Sequence, residues 1–351
     1  MKTVAIVGTV GLPACYGGWE TLVENIVKKK SEDIDYLVFC SSTSYENKIN
    51  FYEGARLVYL PISANGIASI IYDGLSLIHT LFKKPDAVVV LGVSGCIFFP
   101  IYKLFSNSKL ILNVDGIEWK RDKWSRFAKA FLKFSEYIGV KWADVIIADN
   151  EGIGHYIKNE YGASSEVIAY GGEHALVSGA PAVIESKYDY FFTVCRIEPE
   201  NNVAMILEAF VDSGVNYKII GNWSSSLYGI QLKEKYSHHL NIDLIDPVYD
   251  LKVLFNYRRG CKGYIHGHSV GGTNPSLVEI MHFGKQIYAF DCVFNRLTTE
   301  DQAVYFSSAE ELRKYITATD LLVDNESMKE IALRRYTWSV VAKQYESLYG
   351  N

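Results

Sequence analysis

The sequence predicts an α/β protein built from two doubly wound halves, and three observations carry that prediction. Short runs rich in β-branched residues alternate with longer amphipathic segments, the pattern of parallel strands buried between helices. The pattern weakens once, over Gly171–Lys187, where Gly, Ala, Pro and Ser collect as in an interdomain linker, and then restarts. A chain of 351 residues also exceeds what one hydrophobic core supports.

In the first half the strand candidates are Thr3–Val7, Tyr36–Cys40, Arg56–Leu60, Ala87–Leu91, Leu110–Val114 and Val145–Ala148. Helices are expected over Glu20–Lys30, Ile67–Phe82, Ser125–Val140 and Gly152–Glu160, the last capped by Asp149 or Asn150. The second half opens with strand Tyr190–Cys195, helix Asn202–Ser213, strand Tyr217–Ile220 and helix Leu227–Tyr236. Strands Ile242–Leu244, Gly263–Ile265 and Gln286–Phe290 and helix Ala309–Tyr315 follow. The tail, Lys329–Tyr349, has helical spacing. The expected domains are 1–172 and 188–328, with 329–351 packing back on the first. Such halves place a ligand cleft between them, at the carboxyl ends of the strands.

Composition narrows the function. A net charge of −5 argues against nucleic acid as the main partner. The 25 Tyr and 17 Phe suit surfaces that meet sugars, lipids or a membrane interface. No apolar run reaches the roughly 18 residues of a membrane-spanning helix. The start, Met1–Gly8, reads as a buried strand rather than a signal segment, because its apolar stretch is short and broken at Gly8. Six scattered cysteines without a C-x-x-C pair read as reduced thiols of a cytoplasmic protein, and no spacing supports a metal site.

The most informative stretch runs from His266 to Glu279. A strand enters a turn containing His268, Gly271, Gly272 and Thr273, which ends in Asn274, a good N-cap, and Pro275, suited to the first helical position. Free backbone N–H groups at such a start suit a phosphate, and Glu279 lies a turn further on, within reach of a sugar hydroxyl. The alternative is an ordinary strand-turn-helix corner. A second glycine turn follows the first strand, where Gly17-Gly18 precedes the helix that begins Trp19-Glu20-Thr21. It is longer than a dinucleotide fingerprint and carries Pro13 and Tyr16; a purely structural turn is the competing reading.

Other candidates stand at strand ends. Asp115 and Glu118, with Trp119, follow Leu110–Val114; Asp115 suits binding or activating an acceptor hydroxyl and Glu118 positioning it. Asp149 occupies a similar edge, with capping as its alternative. Arg196 follows a strand, where a guanidinium would neutralise a pyrophosphate leaving group. Asn201 and Asn202 read as helix caps. Gly221 and Asn222 end another strand with Trp223, a wall for a base or sugar. Arg258, Arg259 and Lys262 read as surface charges. Lys120–Phe134 mixes cations with aromatics, either a face resting on an anionic bilayer or a core helix with a solvated basic side.

Taken together, these motifs resemble family 4 glycosyltransferases of the GT-B fold, two Rossmann-like domains facing across a cleft. The nearer likeness is to bacterial β-1,4-rhamnosyltransferases of capsular and group polysaccharide assembly. The resemblance spans essentially the whole chain and is most specific at the two glycine turns.

It implies retaining transfer from dTDP-β-L-rhamnose to a polyprenyl-pyrophosphate-linked glucose or N-acetylglucosamine, without a metal or other cofactor. The enzyme would work peripherally on the cytoplasmic face of the cell membrane. Catalysis would fall to Asp115, Arg196 and Glu279. The donor would be held by Gly17, Gly18, Arg196, Gly221, Asn222, Trp223, His268, Gly271, Gly272, Thr273, Asn274 and Glu279. The acceptor would meet Tyr16, Trp19, Glu20, Asp115, Glu118, Trp119 and Asp149.

Three positions depart from the wider family. Gly271 stands where relatives carry a Glu, Asn201 where a Lys follows the diphosphate Arg, and Val114 where a His precedes an Asp. A glucosyl- or galactosyltransferase using another nucleotide sugar, and a catalytically silent nucleotide-sugar-binding subunit, are the alternatives.

Overall fold

Val4, Ala5, Ile6 and Val7 are fully buried, as a strand covered on both faces requires. The computed structural model describes residues 1–15, 17–120, 124–177, 189–318 and 326–350. They form two compact units, Met1–Tyr170 with Trp338–Asn351, and Gly171–Thr337.

In chain order the first unit begins β1 (Lys2–Val7), α1 (Gly18–Lys28), β2 (Ile34–Ser41), β3 (Phe51–Tyr52) and β4 (Ala55–Leu60). It continues through α2 (Ala68–Lys83), β5 (Ala87–Leu91), α3 (Phe99–Phe105), β6 (Lys109–Asn113) and α4 (Arg126–Trp142). Next come β7 (Val145–Ala148), α5 (Glu151–Tyr161) and β8 (Glu166–Val167).

The second unit holds β9 (Tyr190–Val194), α6 (Val203–Phe210), β10 (Asn216–Ile220), α7 (Leu227–Tyr236) and β11 (Ile242–Ile245). Then follow α8 (Leu251–Gly260), β12 (Gly263–His266), α9 (Pro275–Met281) and β13 (Gln286–Phe290). The unit closes with α10 (Val293–Thr298), β14 (Val304–Phe306), α11 (Ala309–Thr317) and α12 (Glu326–Arg335). The last helix, α13 (Trp338–Leu348), returns to the first unit.

The first sheet has the order β3-β4-β2-β1-β5-β6-β7-β8 and is parallel except for the β3–β4 hairpin. Right-handed crossovers place α1 on one face and α2 to α5 on the other. Helix α13 packs beside α1 and contributes Trp338, Val341, Ala342 and Tyr345 to the same core as β1 and β2. The second sheet, β11-β10-β9-β12-β13-β14, is wholly parallel. Strand order turns back at β1/β5 in one unit and at β9/β12 in the other, the places where open α/β sheets hold ligands at their carboxyl ends.

Three expectations change. Residues 329–351 are not one helical tail: α12 lies in the second unit, α13 in the first, and the chain passes between them at Thr337–Trp338. The linker reading fails over 171–177, because Gly172 packs on α9, its N–H donating to the Tyr336 carbonyl at 2.7 Å. The remainder of that stretch lies outside the described residues. Helix α8 went unread, although Asp250 caps it by accepting from the Lys252 and Val253 N–H groups.

Candidate functional site

In the second unit, β9 and β12 lie side by side at the switch point. Each delivers a loop to the carboxyl edge: Cys195–Asn201 after β9, and the glycine turn after β12. Asn201 fastens one to the other. Its side chain is buried, its Nδ2 donates to the Arg196 carbonyl at 2.8 Å, and its Oδ1 bonds His268 Nδ1 at 2.8 Å. Asn202 Nδ2 donates to the Gly267 carbonyl at 2.8 Å, and the Ser269 N–H donates to the Glu200 carbonyl at 2.9 Å.

These asparagines are therefore braces. Asn202 does occupy the cap position of α6, but its side chain makes no cap bond. Gly267 is required here, since a Cβ would fall 2.1 Å from the Asn201 carbonyl oxygen.

The turn ends as its residues demand. Asn274 caps α9, accepting from the Ser276 N–H at 3.1 Å, with Pro275 in the first turn. Leu277, Val278, Ile280 and Met281 are all buried. The helix has only seven residues, so its dipole adds little, and the case for an anion falls on side chains and turn backbone. Gly271 has φ +94°, a conformation that strains an L-residue, which accounts physically for glycine at this position. His268 and Gly272 are half-buried at this edge and Thr273 is buried.

Arg196 is the cation of this edge, its side chain 58% exposed and its Nε 3.6 Å from Glu198 Oε2. The Asn201 amide is spent on the brace. His266, behind the turn, is buried with Nε2 unpartnered among the described residues. Burial, then the neighbouring His268, lowers its pKa to about 3 and keeps the ring neutral.

Glu279 meets two partners that sequence reasoning missed. Arg258 Nη2 donates to Glu279 Oε2, and His174 Nε2 lies 3.1 Å from Oε1. Burial opposes ionisation of Glu279, but Arg258 and His174 outweigh it and hold the carboxyl below its ordinary range. Arg258 is thus not a surface charge: its side chain is 4% exposed. The overlooked signal was helical. Asp250 caps a segment whose Leu254 and Phe255 face inward, and Arg258 recurs one turn later on the same side.

Two donor candidates are redirected. Trp223 is 1% exposed, packs in the unit's core and donates Nε1 to the Ile245 carbonyl at 2.9 Å, so it walls no ligand. Gly221 permits a close approach by Ile197, whose Cδ1 would sit 2.4 Å from a Cβ there. Asn222 remains exposed at the end of β10.

In the first unit the turn after β1 is tied down by the helix it introduces. Glu20 is buried and accepts from Thr9 Oγ1 at 2.8 Å and the Val10 N–H at 2.6 Å. Glu24 accepts from the Ala14 N–H at 2.8 Å, and Tyr72 donates to the Thr9 carbonyl at 3.0 Å. Glu20 is therefore committed to the loop rather than offered to an acceptor, and Trp19 packs against the core. Gly17 (φ +48°) and Gly18 are exposed at the start of α1; Tyr16 lies outside the described residues.

Asp115 sits half-buried beyond β6 in the left-handed region, φ +62°, with its N–H donating to Asn113 Oδ1 at 3.0 Å. Asn113 Nδ2 in turn donates to Tyr345 OH at 2.7 Å, so α13 braces this loop. Glu118 accepts from Trp124 Nε1 at 3.0 Å. Trp119 donates to Tyr156 OH at 3.0 Å, and Lys133 Nζ lies 4.6 Å from the Trp119 ring centre. Asn150, not Asp149, caps α5, accepting from the Gly152 N–H at 2.8 Å, which leaves Asp149 half-buried at the end of β7.

Comparison with known proteins places the architecture. Sucrose-phosphate synthase from Thermosynechococcus elongatus superposes with a TM-score of 0.82 at 12% identity, over 99% of this chain and 98% of that one. Anabaena HepE in complex with UDP-glucose gives 0.73 at 13% identity, over 99% of both chains. The fold is GT-B. A glycosyltransferase from Rickettsia africae gives 0.74 at 13% identity, over 99% of this chain and 97% of that one. Residues 1–173 match a family model described as a domain of unknown function, DUF1972. No curated protein matches the chain.

The six cysteines are free, and Cys40, Cys96 and Cys261 are buried. Among the described residues no helix is long and apolar enough to cross a membrane, and no cluster of His, Cys, Asp or Glu has the makings of a metal site.

Proposed function

We propose that this GT-B protein is a retaining glycosyltransferase of the family 4 type that transfers L-rhamnose from dTDP-β-L-rhamnose. Its acceptor is a polyprenyl-pyrophosphate-linked glucose or N-acetylglucosamine, met at the cytoplasmic membrane surface during bacterial surface polysaccharide synthesis. The observation that carries the reading is the joining of the Arg196 loop and the glycine turn by Asn201 at the switch point of the second sheet. It supports a site for a nucleoside diphosphate.

In this reading Arg196 offsets the charge that develops on the departing diphosphate, and the backbone of Gly271 to Thr273 lines the donor sugar. Glu279, fixed in orientation by Arg258 and His174, receives the ribose hydroxyls. Asp115 in the first unit receives the acceptor hydroxyl. The acceptor oxygen bonds to the anomeric carbon as the carbon–phosphate-oxygen bond breaks, and its proton passes to the leaving phosphate on the same face. Positioning and charge stabilisation then supply the rate, with no metal.

A donor panel with a synthetic lipid-pyrophosphate acceptor tests this. Turnover with dTDP-rhamnose alone, unchanged by EDTA, is expected. Turnover with UDP-glucose instead makes the chain a glucosyltransferase, and binding without turnover makes it a silent subunit. Arg196→Ala abolishes transfer without changing the unfolding transition; wild-type turnover in that variant removes the phosphate role.

A further inference from the structure

The outward side of α2 carries Ile67, Ile71, Leu75, Ile78 and Phe82, spaced three or four apart so that they form one stripe. These are not grazing exposures: Ile67 is 84% and Phe82 81% accessible. Helix α3 packs beside α2, and α4 beside α3, on the same face of the sheet. They extend the apolar surface with Leu104, Phe105 and Phe127, the last 90% exposed. Large apolar side chains exposed on neighbouring helices mark an interaction surface.

Charge says which partner. The acids of these helices, Asp73 on α2 and Glu136 on α4, are both buried, and α3 has none. Among the described residues of α2, α3 and α4, no carboxylate is exposed. Lys83, Arg126 and Lys141, by contrast, stand exposed on these helices, and Lys84 just beyond α2, followed by an exposed Asp86 whose carboxylate accepts from the Thr3 N–H. A chain of net charge −5 thus presents one cationic, apolar face.

We propose that the outward face of α2, α3 and α4 seats the first unit on an anionic lipid bilayer, with apolar side chains in the acyl boundary and cations at the headgroups. A two-fold contact between copies would set this cationic face against itself, which its charge opposes. The surface deepens the membrane association proposed above and rests on that reading. It also relocates it, since the Lys120–Phe134 stretch gives only part of the face and Lys133 turns instead onto Trp119, Tyr156 and Tyr161.

Flotation of the full chain with vesicles tests it. The wild type binds phosphatidylcholine vesicles containing phosphatidylglycerol and does not bind phosphatidylcholine alone. Lys83→Glu/Lys84→Glu lowers partition by more than about tenfold, and Phe82→Ser/Phe105→Ser by about tenfold or more. Because these side chains are exposed, both variants keep the wild-type unfolding midpoint. Absence of wild-type binding to the anionic vesicles, or binding that survives both variants, overturns the proposal. So does light scattering showing a dimer that both variants dissociate. dTDP binding, followed by calorimetry, is unchanged in both variants. If dTDP fails to bind while flotation succeeds, the donor reading falls and this surface stands.

Discussion

The two glycine turns have similar sequences and opposite constructions. Each follows a central strand, contains adjacent glycines and opens a helix carrying a glutamate. In the first unit that glutamate, Glu20, folds back into its own turn and satisfies Thr9 and Val10. In the second, Glu279 pairs with Arg258 and His174, and the turn is braced from outside by Asn201, Asn202 and Asn295, whose Nδ2 donates to the His268 carbonyl at 2.9 Å. A loop that consumes its own carboxylate is finished structurally. One held by neighbours keeps its backbone and its acid disposable for a ligand.

The largest expected effect breaks the outside bracing of Glu279. Arg258→Ala leaves a buried carboxylate without its cation and lowers stability by about 3–5 kcal/mol at neutral pH, measured by urea unfolding. The folded pKa of Glu279 is depressed, so its contribution is present above the unfolded value near 4.5 and is lost as pH falls through the folded value. The gap between variant and wild type therefore closes under acid. A gap independent of pH would mean that packing, not charge, holds Arg258.

Glu20→Ala comes next. It leaves a buried hydroxyl and a buried N–H without their acceptor, at a cost of about 2–3 kcal/mol. If the turn is finished structurally, acceptor KM at a temperature where the variant stays folded matches the wild type. A large rise in KM would return Glu20 to the acceptor site.

His266 supplies a pH test of the second turn. Its folded pKa of about 3 lies below the ordinary histidine value of 6.5, so its contribution is intact above 6.5 and is eroded as pH falls toward 3. The slope reaches at most about 1.4 kcal/mol per pH unit. His266→Asn removes that slope, and equal slopes in the two proteins would show that the ring titrates normally.

The smallest stability change is expected from Asn201→Ala, about 1–2 kcal/mol for the bonds lost. Its effect on dTDP affinity should be larger than its effect on the unfolding midpoint suggests, because it frees the Arg196 loop from the turn. Unchanged affinity, measured by calorimetry, would make Asn201 a purely structural brace.

Much of this was legible beforehand. The strands Ala87–Leu91, Val145–Ala148 and Gln286–Phe290 lie where β-branched and apolar runs placed them. So does helix Leu227–Tyr236, and Asn274 and Pro275 begin α9. Local chemistry determines these features: periodicity, capping side chains and the fixed φ of proline act within a few residues. The sequence alone therefore determined two mainly parallel, helix-covered sheets and the loops at their carboxyl edges.

What it left undecided depends on contacts made across the chain. Nothing near Trp223 in sequence says that Ile245 will accept its N–H, and nothing near Glu279 announces an arginine 21 residues earlier. His174 was hidden in a stretch whose composition suggests a linker, yet Gly172 packs on α9 and His174 reaches Glu279. Only the tertiary structure decided which carboxylate is consumed and which is held ready, because burial and ion pairing arise between segments brought together by the sheet.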